Sequence, residues 1–454
     1  MENVTLKLAE FLGQLTYDQI PEGVLSKAKS CVLDALGCAF LGSTAEPGKM
    51  VNEYVQSQKG VREASLWSTD FLGPAANVVL GNGTMIHSFD FDDYHMTKIH
   101  PGAVVIPAAM AVGEKEHIDG RSLLAAVVAG YETMIHISRG ANPGASRLKG
   151  WHLTGTCGTF AAAAAVGHIW GLNKEGMASA LGLAGTQSAG LWAFTADGSY
   201  SKRFHPGRAS QSGVMAAWLA RRGYQGPTKI LEAEDGGFFK ATSEDFDFQK
   251  VVEGLGEKFD TEDAIIKPYP ACGSLHSSID ATLLLTKEHL IDPFRIKEIK
   301  VYNSRVVHVQ CGFEYKPLGV LQAQMSMQYC VARAVLDGRL TMSQFSREKL
   351  SDPLVMDLAG RVRFVLDPEI DEIYPRAFPS VVEIVMDDGQ RVKVKVAMPK
   401  GSSGNPMSWQ EVQGKFLSNA LQVIDEKRAH ALIGLVGNLD KVKDISEISK
   451  LMRQ

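Results

Sequence analysis

Between residues 87 and 102 the chain reads HSFDFDDYHMTKIHPG, which places three histidines, three aspartates and a lysine just ahead of an apolar run. Such a density suits a metal centre, a proton-transfer site or the polar end of a helix. Asp90, Asp92, Asp93, His95 and His100 could supply oxygen and nitrogen donors to a metal. Spacing speaks against that reading: the stretch has no H-x-x-x-H or H-x-H pair, and consecutive aspartates at a helix end point to different faces. Proton transfer fits better, because imidazole titrates nearest neutrality. A helix N-terminus favours its neutral form and a neighbouring aspartate its cation. His100, with Asp90 and Asp93 close in sequence and a helix following Pro101, is placed between those two effects and suits a general acid or base. The blander alternative is a histidine that satisfies backbone groups at a helix entry. His87 reads as helix-face packing and His95 is undecided.

Three further stretches put a basic or imidazole side chain ahead of an expected helix start. His152 precedes TGTCGTF, Lys202, Arg203 and His205 precede PGRASQSGVMAAWLA, and Lys267 precedes a helix opening near Ser277. Helix N-termini present unpaired amide donors and the positive end of the dipole, so each could cradle a carboxylate or phosphate. If these ends converge, the ligand carries several negative charges; if they do not, each cation lines a solvated turn. Arg208, one turn into its segment, is a further anchor or one half of a structural salt bridge. No G-x-S-x-G elbow occurs, and Cys272, four residues before His276, lacks a thiol-enzyme signature. No dinucleotide or P-loop fingerprint is present either, so the expected chemistry uses no cofactor and no metal.

The elements that must position these groups are mostly helical. From Pro21 to about Arg222 long alanine- and leucine-rich segments are punctuated by glycine and proline, as in GTFAAAAAVGHIWG. After KPYPACGSLHSS the character changes. A helix through IDATLLLTKEHL precedes RIKEIKVYNS, and SVVEIVMDDGQRVKVKVAM holds two alternating runs about an Asp388-Gly389 turn, the pattern of a hairpin. PKGSSGNP then reads as a linker, and Ser408 with Glu411 as a capping box that opens a last helical stretch. The expected fold is mainly α: a large all-helical domain built from both chain ends, residues 1–267 and 407–454, plus a smaller inserted α+β lid domain, residues 268–406. With 454 residues, more than one structural unit is the default.

A formal net charge of -4 gives no general pull toward nucleic acid or an anionic membrane, so any anion site must be local. The first residues lack an export signal and no uncharged run reaches spanning length, which makes the cytoplasm the default location. The six cysteines are scattered without metal-type spacing and read as reduced, mostly core residues.

Four stretches in order, HSFDFDDYHMTKIHPG, GWHLTGTCGTFAAAAA, DGSYSKRFHPGRASQSG and IIKPYPACGSLHSSIDA, together with the late NPMSWQEVQGKF, resemble the successive signatures of the MmgE/PrpD family. That family includes 2-methylcitrate dehydratase, cis-aconitate decarboxylase and iminodisuccinate epimerase. The resemblance runs nearly end to end and implies the two-domain arrangement above, a homodimer, and no need for a metal. It also implies that Asp90, His100, His152, Lys202 and Lys267 line the site, with Tyr94 where some members place a threonine. Two departures weaken the decarboxylase branch: Cys272 stands where that branch has a histidine, with His276 out of register, and its later tyrosine aligns with Cys311 rather than Tyr315.

The shared difficulty of these reactions is a carbanion next to a carboxylate, which needs cations and aimed amides. The expected activity is therefore a 2-methylcitrate dehydratase-like hydro-lyase acting on a small di- or tricarboxylate. His100 or His152 moves the proton, Asp90 tunes His100, and Lys202 and Lys267, helped by Tyr94, Arg203, Arg208, Cys272 and His276, hold the anion. Which histidine is the base is open. Epimerisation of a substituted succinate, decarboxylation of cis-aconitate and non-catalytic polycarboxylate binding are the alternatives.

Overall fold

The computed structural model describes residues 3–373 and 377–454. The fold is mainly α, and the chain divides into two compact units, residues 1–266 with 408–454 and residues 267–407.

The first unit is built on helices α1 (Glu22–Ser43), α2 (Ala75–His87), α3 (Gly102–Glu116), α4 (Gly120–Gly140), α5 (Leu153–Ile169) and α6 (Ser201–Arg221). Helix α5 is almost entirely buried, as its all-round apolar, alanine-rich sequence requires, and it packs against α3, α4 and α6. Small residues allow these rods to approach closely. At the crossing of α2 and α6 a Cβ on Gly83 would sit 2.8 Å from Gly207 Cα, so a side chain there would force the helices apart. The unit is not wholly helical as expected, because β1 (Ala64–Ser65) and β2 (Leu72–Gly73) pair antiparallel. Each strand is only two residues long, too short to register as alternation in the sequence.

The second unit starts with α7 (His276–Glu288), followed by β3 (Ile296–Asn303), α8 (Arg305–Cys311), α9 (Met327–Asp337), β4 (Val362–Leu366), β5 (Ser380–Met386) and β6 (Arg391–Val396). Its sheet runs β4-β3-β5-β6, with β3 parallel to β4 and the other pairs antiparallel. The β5–β6 hairpin turns at Asp388-Gly389, where Gly389 takes φ +87°, a value glycine adopts without strain. β6 turns Val392, Val394 and Val396 inward, the first two half-buried, and exposes Arg391, Lys393 and Lys395, whereas β5 is buried along its whole length beneath α7.

The chain then re-enters the first unit through α10 (Trp409–Ala420), whose Ser408–Glu411 capping box is formed. Lys415 on α10 pairs with Asp34 on α1 at 2.5 Å, donates to Phe91 O at 2.6 Å and lies over the Phe91 ring. Helix α10 therefore braces the loop that carries the aspartates. Among the described residues no helix is long and apolar enough to cross a membrane.

Candidate active site

Helix α2 ends at His87, and residues 88–101 form a series of turns before α3 begins. Asp90 takes φ +54°, a left-handed conformation that aspartate tolerates better than most residues. Within such a turn, successive side chains do not follow helical periodicity. Consecutive Asp92 and Asp93 turn to different partners, and the three carboxylates take up complementary posts.

Asp92, fully buried, is the centre of the cluster. His87 Nδ1 lies 3.0 Å from both of its oxygens, and His100 Nδ1 lies 3.3 Å from Oδ2. A carboxylate only accepts, so each imidazole carries its hydrogen on Nδ1. His100 Nδ1 also donates to Asp93 O at 3.0 Å, which leaves Nε2 as its reactive nitrogen, 3.6 Å from Asp90 Oδ1. Burial pushes His100 below its ordinary value against the upward pull of Asp92, and burial drives His87 down to about 3. Burial opposes ionisation of Asp92, yet the two imidazoles facing it hold its carboxyl well below the usual range. His87 is thus not a packing residue as its sequence position suggested; it braces the Asp92 carboxylate beside His100, whose ring centre is 4.5 Å from its own.

Asp93 does a different job. It accepts Gly102 N–H at 2.9 Å and the Tyr131 hydroxyl at 2.7 Å, which ties it to the first turn of α3. Only glycine fits beside it, since a Cβ at position 102 would come within 2.3 Å of Asp93 Oδ1. Burial raises this carboxyl to about 7.

Asp90 faces the cations of α6. Lys202 Nζ lies 2.9 Å from Asp90 Oδ2 and Arg203 NH1 3.9 Å from it, while Arg203 also donates to His87 O at 3.4 Å. Lys202, Arg203 and His205 were expected ahead of the helix, but α6 begins at Ser201 and carries them in its first turns, with Pro206 inside it. Arg208 is exposed and donates to Gln211 on the same helix, so the structure does not bring it to the cluster.

His152 caps α5, and its Nδ1 lies 2.9 Å from His205 Nδ1, so one imidazole donates to the other. Trp192 and Phe194 meet the His152 ring edge-on, and burial holds its proton affinity well below the ordinary value. The first turn of α5 reaches the loop: Thr154 Oγ1 accepts His100 N–H at 3.2 Å. The Tyr94 and His100 ring centres are 6.3 Å apart, and Tyr94 is fixed by paired backbone hydrogen bonds with Ile265. The first unit thus gathers Asp90, Tyr94, His100, His152, Lys202 and Arg203, and adds His87, Asp92 and His205. Nothing in the order of residues singled out Asp92 over its neighbours.

The remaining candidates belong to the second unit. Lys267 is buried at its start, His276 opens α7 with Nε2 3.2 Å from Ala271 O, and Cys272 lies on the turn between them. Tyr315 is a core residue whose hydroxyl donates to Leu350 O.

Among the described residues, two groups have donor atoms close enough to hold a metal ion: His87, Asp90, Asp92 and His100, and separately Glu132, His136 and Asp260. The folded turn brings the first set together although its spacing matches no metal motif. Its donor chemistry suits a divalent cation, but Lys202 already places an ammonium against Asp90. In the second group Glu132 is engaged by Thr261 N and Oγ1 and by Asp260 N, and Arg139 pairs with Asp260.

The MmgE/PrpD N-terminal domain matches residues 6–251, and the MmgE/PrpD C-terminal domain matches residues 269–441. The chain belongs to the MmgE/PrpD family. It is 30% identical to a cis-aconitate decarboxylase of Aspergillus terreus over 99% of this chain and 96% of that enzyme. It is 27% identical to a cis-aconitate decarboxylase of Homo sapiens over 100% and 95%. A 2-methylcitrate dehydratase of Cupriavidus necator is 24% identical over 96% and 94%. Relatives named as decarboxylases are thus more similar to this member of the family than the dehydratase is, which reverses the expected order of the two reactions.

Proposed function

We propose that the protein is a lyase that decarboxylates a small tricarboxylate of the cis-aconitate type. The observation that carries this reading is the Asp92–His100 pair beside the Lys202 and Arg203 cations, in a chain similar end to end to cis-aconitate decarboxylases. In cis-aconitate the departing carboxylate sits on a methylene next to a carbon–carbon double bond. When carbon dioxide leaves, the bonding electrons pass through that double bond to a carbon bearing another carboxylate. The charge that develops is the enediolate type that aimed cations stabilise. A proton delivered to that carbon completes methylenesuccinate.

His100 is the proposed proton donor. Burial holds it below its ordinary value, and a multiply anionic ligand beside Nε2 raises its affinity for a proton, with Asp92 stabilising the resulting cation. His152 is less suited, because Lys202 and the neighbouring imidazoles add to burial in lowering its proton affinity. Lys202 and Arg203 hold substrate carboxylates. Lys267 is proposed as a further holder on its sequence pattern.

Incubation with cis-aconitate in deuterated water, followed by proton NMR, tests the proposal. Methylenesuccinate carrying one deuterium, with release of carbon dioxide, is expected. Loss of water from 2-methylcitrate with no turnover of cis-aconitate would replace the reading with the hydro-lyase.

A further inference from the structure

Cys272 and Cys311 come from separate elements of the second unit and meet. Cys272 lies on the turn that leads into α7, its N–H donating to Gln324 O at 2.9 Å, and Cys311 is the last residue of α8. Ser274 Oγ donates to Gln310 Oε1 at 3.2 Å, which holds the Cys272 turn against the last residues of α8, and Cys272 packs on the core that contains Cys311. All six cysteines are free, and five are buried; Cys272 is partly open to solvent.

The pair is asymmetric in its chemistry. The Cys311 thiol donating to Cys272 is the largest influence on it. Burial opposes, while the N–H and hydroxyl of Ser274 and the Lys267 ammonium favour the thiolate, and the result is a thiol pushed down to about 6. Cys311, donating to that sulfur and buried, is held well above its ordinary value. An accessible thiolate backed by a protonated thiol is the arrangement of an attacking and a resolving cysteine. Cys330 lies nearby in the same core, but its thiol donates to Ala323 O at 3.4 Å and is turned to that carbonyl.

We propose that Cys272 and Cys311 are a site of reversible oxidation by a hydroperoxide, closing an intramolecular disulfide. The Cys272 thiolate attacks one oxygen of hydrogen peroxide, the O–O bond breaks, and hydroxide leaves, so that Cys272 becomes a sulfenic acid. Cys311 gives up its proton, which converts hydroxide to water, and its sulfur attacks the sulfenic sulfur. The S–O bond breaks and the departing hydroxide takes a solvent proton, replacing the one the Cys272 thiol gave up on ionising. In sum two thiols and one peroxide give one disulfide and two waters. The bond ties the Cys272 turn to the end of α8.

The full-length protein is treated with a small excess of hydrogen peroxide, quenched with an alkylating agent, and examined by intact mass and peptide mapping. The expected result is the loss of two hydrogens per chain, mapped to a Cys272–Cys311 link and reversed by dithiothreitol. Cys330→Ser should keep the link, and Cys311→Ser should instead accumulate oxygen on Cys272. No loss of mass, a link to Cys330, or Cys272 passing directly to the sulfinic acid in the native protein would each overturn the proposal. The decisive mapping uses the unaltered chain and is independent of how well the variants fold.

Discussion

Asp92 Oδ2 lies 3.3 Å from His100 Nδ1, on the ring edge away from the nitrogen assigned to proton transfer. The carboxylate is held as well by His87, whose Nδ1 lies 3.0 Å from both oxygens, so its orientation is set within the fold. Asp92→Asn keeps the shape but removes the charge and gives the position donor hydrogens that oppose the two N–H groups. We expect turnover of cis-aconitate to fall by about 10²-fold or more, the range for losing a positioned acid or base. His100 should also titrate lower, shifting the limb of the pH profile that reports it to more acidic pH. A raised KM with kcat and profile unchanged would remove His100–Asp92 from the chemistry.

The Lys202–Asp90 pair at 2.9 Å makes a different prediction. Lys202 is held by a carboxylate on the same loop as His100, so the cation is aimed rather than free to sample rotamers. Lys202→Met should lower kcat/KM for the tricarboxylate by roughly 10- to 100-fold, the worth of one charge-assisted hydrogen bond. Asp90→Asn should cost less, and the double variant should fall short of the sum because the two act as a unit. Additive losses would show that they act separately.

Much of this site can be traced in the sequence, and what cannot has a physical origin. Helix entries are local, so His100 before α3 and His152 at the cap of α5 are readable from proline, glycine and apolar periodicity. That α3, α5 and α6 pack their N-terminal ends around one cluster is a tertiary fact that no single stretch contains. Asp92 and His87 were hidden because a left-handed Asp90 breaks the periodicity on which facing arguments rest. Arg208 was misplaced for the converse reason: helical spacing says which residues share a face but not which face is covered. In the second unit the β5–β6 hairpin was legible from its turn, whereas the β3–β4 parallel pair joins distant segments with no local signal.

The aspartate cluster also makes a prediction about metals. Four donor atoms of His87, Asp90, Asp92 and His100 lie together, but the Lys202 ammonium already supplies positive charge at Asp90. A divalent cation there would have to displace it against electrostatic repulsion. Turnover should therefore survive exhaustive chelation, and added manganese or zinc should inhibit or leave it unchanged. Activity lost on chelation and restored by one metal would make the cluster a metal centre.

Stability should depend on pH from both sides through two buried histidines of opposite sign. His87 is depressed from 6.5 to about 3 in the fold, so the unfolded chain binds the extra proton first. Its contribution is intact above pH 6.5 and is lost progressively as pH falls toward 3, with a cost on the order of 2 kcal/mol by pH 5. His136 is raised to about 9: burial opposes its charge, but Asp260 and Glu132, 3.2 and 3.5 Å from Nε2, win. Its contribution is intact below pH 6.5 and is lost as pH rises through 9, about 3 kcal/mol over the full span. Each arm should be read in urea unfolding across pH 5 to 10 as the difference between a variant and the parent chain, because the raised Asp93 carboxyl adds its own slope in the acid range. His87→Gln should flatten the acid arm alone and His136→Gln the alkaline arm alone. Because His136 closes on the segment at Asp260, His136→Gln should cost most near pH 6 and least near pH 10. An alkaline arm that persists undiminished in that variant would place the titrating group elsewhere.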